Sequence, residues 1–288
     1  GRDAFQETDI LDVTMPVTKH NYKVKNAADL VPTIREAFDL ARSGRPGPVL
    51  IDVPRNLFFE EVAYTAQKLV EHQPGKPDAD FVICAAEAAA EIVNAERPLV
   101  IVGGGVISAG ASAETVAFIE KYQLPVVHTL MGMGAVPSTH PQMLGFIGMH
   151  GAKAANYAVG AADLVIALGS RFADRLTGNL SKFTANRRFI HIDIDPAEID
   201  KIVGSSIGLA GDMRVVLNLL MRKEPKRDHT AWWQQIHTWQ EEFEDDYHVN
   251  SLTVPWALHQ VTRMTAGKAY AYATDVGQHQ MWAALHLR

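Results

Sequence analysis

Hydrophobic positions along this chain follow two alternating periods. Residues 27–43 (AADLVPTIREAFDLARS) set Leu30, Ile34, Ala37, Phe38 and Ala41 on one side of a helical turn, which predicts an amphipathic helix with Asn26 as its cap and Asp29 three positions later. The turn GRPGP then leads into an apolar run from Val49 to Val53, which predicts a strand buried on both faces of a parallel sheet. Residues 1 to about 60 therefore read as the last part of an α/β domain. Periodicity fades after Phe59, and EHQPGKPDAD has the Pro, Gly and charge mix of a linker, so residues 61–82 are expected to lead into a new unit.

Residues 83–222 alternate between the two periods. ICAAEAAAEIVNA, SAETVAFIEKYQ, KAANYAVGA and AEIDKIV read as helices, and PLVIV, PVVHT, DLVIALGS and RFIHIDID as strands. Helices of this length between strands predict βαβ units and a doubly wound, parallel, Rossmann-like sheet. Residues 223–252 are dense in charge and aromatics; Trp233, Ile236, Trp239 and Phe243 share one helical face, and the segment reads as a linker helix draped over its neighbours. From 253 to 288 a helix (VPWALHQVTRMT), a strand (AYAYATDV) and a second helix start open a further unit.

Composition narrows the function classes. With 288 residues, 47% of them hydrophobic and 21% charged, the chain has room for about two ordinary globular domains. The net charge is −6, and no basic stripe with interleaved aromatics offers a nucleic-acid face. The single Cys84 can form neither an internal disulfide nor a cysteine-based zinc site, which fits a reducing compartment and hence a cytoplasmic location. No apolar run approaches the roughly 20 residues of a membrane span, and GRDAFQETDI lacks a signal-peptide layout. The absent initiator Met suggests that the natural N-terminus lies further upstream.

Candidate chemistry gathers at the ends of the predicted strands. VIVGGGVISAG follows one strand and opens a helix, where phosphates meet helix N-terminal amides, but Ser108 stands where the third glycine of G-x-G-x-x-G would fall. The next strand ends VVHTL, without the acid that grips an NAD ribose, so a nicotinamide dehydrogenase is disfavoured. A dinucleotide turn and a mere tight turn both remain open for the glycines. Arg171 and Arg175, in LGSRFADRLTGN, put two cations on one loop, an arrangement suited to diphosphate or carboxylate, while HIDID offers Asp193 and Asp195 at another strand end. Met131, Met133 and Met149 read as core filler before cofactor contacts. The 12 histidines show no H-E-x-x-H or other trusted ligand spacing, and G-x-S-x-G is missing, which leaves neither a zinc enzyme nor a hydrolase triad supported.

Several strings go beyond α/β punctuation. DAFQETD, PVTKHNY, SGRPGPVLIDVP, HTLMGMGAVP, GMHGAKAAN, SRFADRLTGN and TDVGQHQMWAA together resemble, in order along the chain, the large catalytic subunits of acetolactate synthases, members of the thiamine-diphosphate enzyme superfamily. That resemblance implies a fragment of a three-domain enzyme. Residues 1–60 would end a pyrimidine-binding domain, 61–82 link it onward, 83–222 form the central FAD-binding domain, 223–252 make a linker helix region, and 253–288 open a diphosphate-binding domain. The implied reaction is decarboxylation of pyruvate and carboligation to a second 2-oxo acid, pyruvate or 2-oxobutyrate, the first common step towards branched-chain amino acids.

The resemblance also assigns residues. Phe5 and Gln6 would stand at the active-site entrance, with Arg55 by the substrate channel and Arg175 on the carboxylate of the second oxo acid. Arg45, Gly103, Gly104, Gly105, Thr129, Leu130, Met149, His150, Gly169, Arg171, Asp193, Ile194 and Asp212 would lie along a structural FAD, and Val276, Gly277, Gln278 and His279 would begin the loop around thiamine diphosphate. The chain departs from the family pattern at Arg55, where lysine is frequent, and at Ala173, where an acid is common. The catalytic glutamate and the Mg²⁺ ligands are expected outside this chain, so the segment alone is expected to be inactive. A homodimer or tetramer with a small regulatory subunit, and an organellar site if a transit peptide precedes the chain, complete the implied picture. Another thiamine-diphosphate carboligase or decarboxylase, or a non-catalytic nucleotide-binding module, are the competing readings.

Overall fold

A computed structural model describes residues 8–64, 75–226, 228–243, 252–269 and 271–287. They fall into two units, Gly1–Gly75 and Lys76–Arg288.

In the first unit, α1 (Ile10–Thr14) precedes β1 (His20–Lys23), α2 (Leu30–Arg42) and β2 (Val49–Asp52), and the two strands pair in parallel, His20 opposite Val49. Val24, Ala27 and Leu57 are buried, with Leu30, Ile51 and Val53 packed on them. Asn26 does not cap in the expected way: its amide donates to Asp29 at 2.9 Å, and the chain enters α2 through a 3-10 turn, Ala27–Asp29. The β2 strand is half-buried at every position rather than fully enclosed, and among the described residues it pairs with β1 alone. At the other end of α2, Lys19 Nζ donates to the carbonyls of Leu40 and Ser43, both at 2.6 Å, placing a cation where the helix dipole favours one.

The second unit begins with α3 (Ala79–Asn94), whose first turn is capped by Asp78 and reaches back into the stretch expected as linker. Then follow β3 (Pro98–Val102), α4 (Gly104–Ser108), α5 (Ser112–Tyr122), β4 (Val126–His128), β5 (Met143–Phe146), α6 (Lys153–Ala161) and β6 (Leu164–Leu168). The chain continues through α7 (Asp174–Thr177), α8 (Leu180–Thr184), β7 (Arg188–Asp193), β8 (Ile207–Ala210), α9 (Met213–Leu220), α10 (Thr230–Glu242), α11 (Val254–Thr265) and α12 (Gln278–His286). All six strands are parallel, in the order β5-β4-β3-β6-β7-β8. Counted from the first strand of the unit this is 3-2-1-4-5-6, the doubly wound Rossmann arrangement, with its switch point between β3 and β6.

The fully apolar runs became the centre of that sheet. Successive residues of β3 alternate between two cores: Val100 and Val102 pack among α3, α5 and α9, while Leu99 and Ile101 face α6 and α10. Two edge strands, β5 and β8, were not foreseen. Each has four residues, β5 is interrupted by Gly145 at φ 106° and β8 exposes Gly208 and Ala210, so neither carries the apolar run that marked the inner strands. The expected strand AYAYATDV does not form within its described part, residues 269 and 271–276. A strand exists through a neighbour's ladder, and no described segment pairs with this one.

The helix expected over Trp233, Ile236, Trp239 and Phe243 is centred one residue earlier. Trp232 and Ile236 are buried, at 2% and 0% exposure, and the Trp232 indole donates to Pro98 O at 3.0 Å. Across the opposite face, the Tyr122 hydroxyl reaches the carbonyls of Leu220 and Lys223 at 2.7 and 2.6 Å, and burial pushes its phenol up to about 12. Because the folded pKa lies above the ordinary 10, the stabilisation holds at neutral pH and fades as pH rises from 10 through about 12. Tyr122→Phe is expected to cost about 1–2 kcal/mol in urea unfolding at pH 7 by leaving the two carbonyls without this donor.

Candidate functional site

An all-parallel sheet brings the loops after its strands to one edge, and most of the residues singled out in the sequence lie there. Gly103, Gly104 and Gly105 follow β3; Thr129 and Leu130 follow β4; Met149 and His150 follow β5; Gly169 and Arg171 follow β6; Asp193 and Ile194 close β7; Asp212 follows β8.

Backbone contact knits these loops. A Cβ on Gly103 would meet Gly169 O at 2.1 Å, one on Gly105 would meet Gly169 Cα at 2.6 Å, and one on Gly132 would meet Val102 O at 2.1 Å. The Gly103 amide donates to Leu168 O at 2.8 Å and the Gly105 amide to Gly169 O at 3.1 Å. Those two N–H groups hold the β6 loop in place. Of the three glycines, Gly104 is the one that faces the β4 loop, with Met131 Cβ 3.1 Å from a Cβ built on it. Thr129 helps shape that loop, its hydroxyl accepting from Gly132 N at 3.1 Å.

Further along the edge, the Met149 amide donates to Arg175 O at 2.9 Å, and the Arg175 guanidinium lies 3.9 Å from Met149 Sδ. The β5 loop and α7 therefore form one surface that carries Met149, His150 and Arg175, all exposed. Arg171 is exposed as well, two cations on one rim. Met131, Met133 and Met149 are 74%, 40% and 60% exposed, so they are not core filler but an apolar fringe on the same loops. Asp193 is buried and accepts from Asp195 N at 3.0 Å, while Asp212 spends its carboxylate capping α9, accepting from the amides of Arg214 and Val215 at 3.0 and 3.2 Å.

The remaining candidates belong to other segments of the chain. Phe5 and Gln6 fall outside the described residues. Arg45 and Arg55 are exposed in the first unit, Arg55 opening the 3-10 turn Arg55–Phe59. Val276 and Gly277 lead into α12, with Gln278 and His279 in its exposed first turn and α12 packed on α11. Among the described residues no group of three His, Cys, Asp or Glu could hold a metal ion, and no helix is long and apolar enough to cross a membrane.

Sequence reasoning passed over His191. It sits on β7, 1% exposed, with Nε2 3.0 Å from Ser170 O and its ring 4.9 Å from that of Phe172. The only hint was a histidine inside the apolar strand RFIHIDID. Burial pushes its pKa below the ordinary 6.5, opposed by the Ser170 carbonyl and by Asp193, Asp200 and Glu198. A depressed histidine pKa means that the unfolded chain takes up the proton first, so this contribution is complete above about 6.5 and is lost as pH falls below it. Unfolding midpoints in urea are expected to drop between pH 7 and pH 5, and to drop less in His191→Gln.

Residues 85–220 match the family model described as "Thiamine pyrophosphate enzyme, central domain". The chain is 41% identical to the acetolactate synthase large subunit of Parasynechococcus marenigrum, an alignment covering 100% of this chain and 48% of that protein. Against the isozyme 3 large subunit of Escherichia coli the identity is 39%, over 99% of the chain and 52% of the relative. A probable acetolactate synthase large subunit of Methanocaldococcus jannaschii is 40% identical, over 99% of the chain and 50% of that protein. The chain thus spans about half the length of the curated relatives it matches. Over its whole length the chain is similar to acetolactate synthase large subunits, and residues 85–220 are similar to the central domain of thiamine pyrophosphate enzymes.

Proposed function

We propose that this chain contributes the central region of an acetolactate synthase large subunit, which decarboxylates pyruvate and joins the remaining two-carbon unit to pyruvate or 2-oxobutyrate. The observation that carries the reading is the alignment of the full chain with such subunits, together with a Rossmann sheet whose loop edge presents two arginines. Bound thiamine diphosphate would supply the electron sink for decarboxylation. The turn Val276–His279 would begin its diphosphate site, with the metal ligands supplied by sequence beyond this chain.

The loop edge of the second unit fits FAD in its chemistry. Glycines let the β3, β4 and β6 loops approach without side chains, Arg171 and Arg175 offer exposed cations for a diphosphate, and Met131 and Met149 offer exposed apolar surface beside them. On this reading Gly104, Thr129, Leu130, His150, Asp193 and Ile194 line the dinucleotide, while the Gly103, Gly105 and Asp212 groups that bond within the protein hold the loops that line it. Arg175, set against Met149, would orient the carboxylate of the acceptor oxo acid. Relatives named as large subunits support assembly with a small subunit; self-association as a homodimer or tetramer is part of the same proposal, and the lone Cys84 suits a reducing compartment such as the cytoplasm.

The test is made on the full reading frame that contains this chain, supplied with pyruvate, thiamine diphosphate, Mg²⁺ and FAD. Formation of 2-acetolactate and a yellow, flavin-bearing protein are the expected results; release of acetaldehyde alone, or no turnover, sinks the reading. In the same protein Arg175→Ala is expected to raise the apparent KM for the acceptor about 10- to 100-fold, the range for losing a charge-assisted contact, read from initial rates at varied 2-oxobutyrate.

A further inference from the structure

Arg171 owes its setting to its two neighbours. Ser170 is buried at 3% exposure and its carbonyl faces His191 Nε2 at 3.0 Å. Phe172 is buried at 1% and has φ 52°, a left-handed backbone that costs a bulky side chain on the order of 1–3 kcal/mol. Something must hold it there. Its ring lies edge-on to Phe189 at 5.8 Å, to Phe183 at 6.1 Å and to His191 at 4.9 Å. One imidazole therefore grips the backbone before Arg171 and the side chain after it. Between these two anchors Arg171 is left exposed.

The state of that imidazole follows from its surroundings. Facing a carbonyl, Nε2 must carry the proton and donate. Nδ1 is buried with no hydrogen-bond partner among the described residues, so the ring's one polar contact is the bond to Ser170. An aliphatic residue would fill this strand position without that burden, since a buried polar atom left without a partner costs about 1–3 kcal/mol. Asp193 on the same strand, and Glu198 and Asp200 in the β7–β8 loop, are the charged groups that act on it; the loop after β6 presents the Ser170 carbonyl and the Phe172 ring.

We propose that His191 is a positioning residue for Arg171: through Ser170 O and the Phe172 ring it fixes the loop so that the guanidinium points at an anionic ligand on the strand-end edge. The inference rests on the reading of Arg171 as a cofactor contact, and its test keeps the two apart. His191→Gln retains an amide N–H that can reach Ser170 O; His191→Asn is polar but too short to do so; His191→Leu removes the donor altogether.

The first readout needs no ligand. Brief trypsin treatment of the full 288-residue chain, followed by mass spectrometry, measures cleavage of the Arg171–Phe172 bond relative to cleavage after Arg214 in α9. That ratio is expected to rise at least tenfold in the Asn and Leu variants and to stay within about threefold of wild type in the Gln variant. The second readout is titration with FAD followed by flavin fluorescence, with Arg171→Ala, His191→Leu and the double variant. The Leu variant is expected to bind about tenfold more weakly, and the double variant no more weakly than Arg171→Ala alone, because both substitutions remove the same contact.

If wild type binds no FAD, the cofactor reading fails while the cleavage ratio still decides the positioning role. Should Leu fail to fold, the Gln and Asn variants suffice. Equal cleavage ratios for Gln and Asn, or additive losses in the double variant, overturn the proposal.

Discussion

Gly103→Ala is expected to lower the melting temperature of the second unit by about 6–12 °C, the equivalent of at least about 3 kcal/mol for a unit of this size. The methyl group would lie 2.1 Å from Gly169 O, 2.6 Å from Gly169 C and 2.8 Å from Ser170 Cα. All three are backbone atoms, so no rotamer change can yield space. Relief would require the β3 and β6 loops to part. That would break the Gly103 N–H bond to Leu168 O and the Gly105 N–H bond to Gly169 O at the switch point of the sheet. Gly160→Ala supplies the control: nothing lies within 4 Å of its added methyl, and within α6 alanine should stabilise by about 0.5–1 kcal/mol. Calorimetry on both variants decides the matter. A Gly103→Ala protein that melts within 2 °C of wild type would mean that the two loops are not in contact.

The same glycines mark how far the sequence could be read. VIVGGGVISAG is recognisable as a turn between a strand and a helix, and the structure has it there, but the reason for the glycines was not visible. Their necessity comes from Gly169, about 65 positions downstream and adjacent only through the sheet order. The central strands β3 and β6 were legible because each is apolar at every position, as suits a strand covered on both faces. The edge strands β5 and β8 were not, since a four-residue segment that contains glycine leaves no periodic trace. Candidate arginines were found by charge and glycine spacing. His191 escaped because its role lies in a contact with the backbone of Ser170, which no pattern of side chains records.

Trp232→Ala is expected to destabilise the second unit by about 3–5 kcal/mol, the usual cost of emptying a large aromatic from a core. Residues 223–252 read as a linker, and for a linker that substitution would be nearly silent. The structure makes α10 a wall instead: Trp232 packs in the core that holds Leu99, Ile101 and Phe189, meets Trp239 edge-on at 5.9 Å, and donates its indole N–H to Pro98 O at the start of β3. Removal of the ring leaves a cavity against the strands that support the Gly103 and Gly169 loops, and strands a carbonyl that the indole had satisfied. Trp233, next in sequence, bonds Gln123 O from a part-exposed position, and Trp233→Ala should cost only about 1 kcal/mol. Urea unfolding followed by far-ultraviolet circular dichroism separates the two outcomes. Equal and small losses at both tryptophans would return α10 to the status of a tether. A large loss confined to Trp232 makes it part of the fold that carries the site.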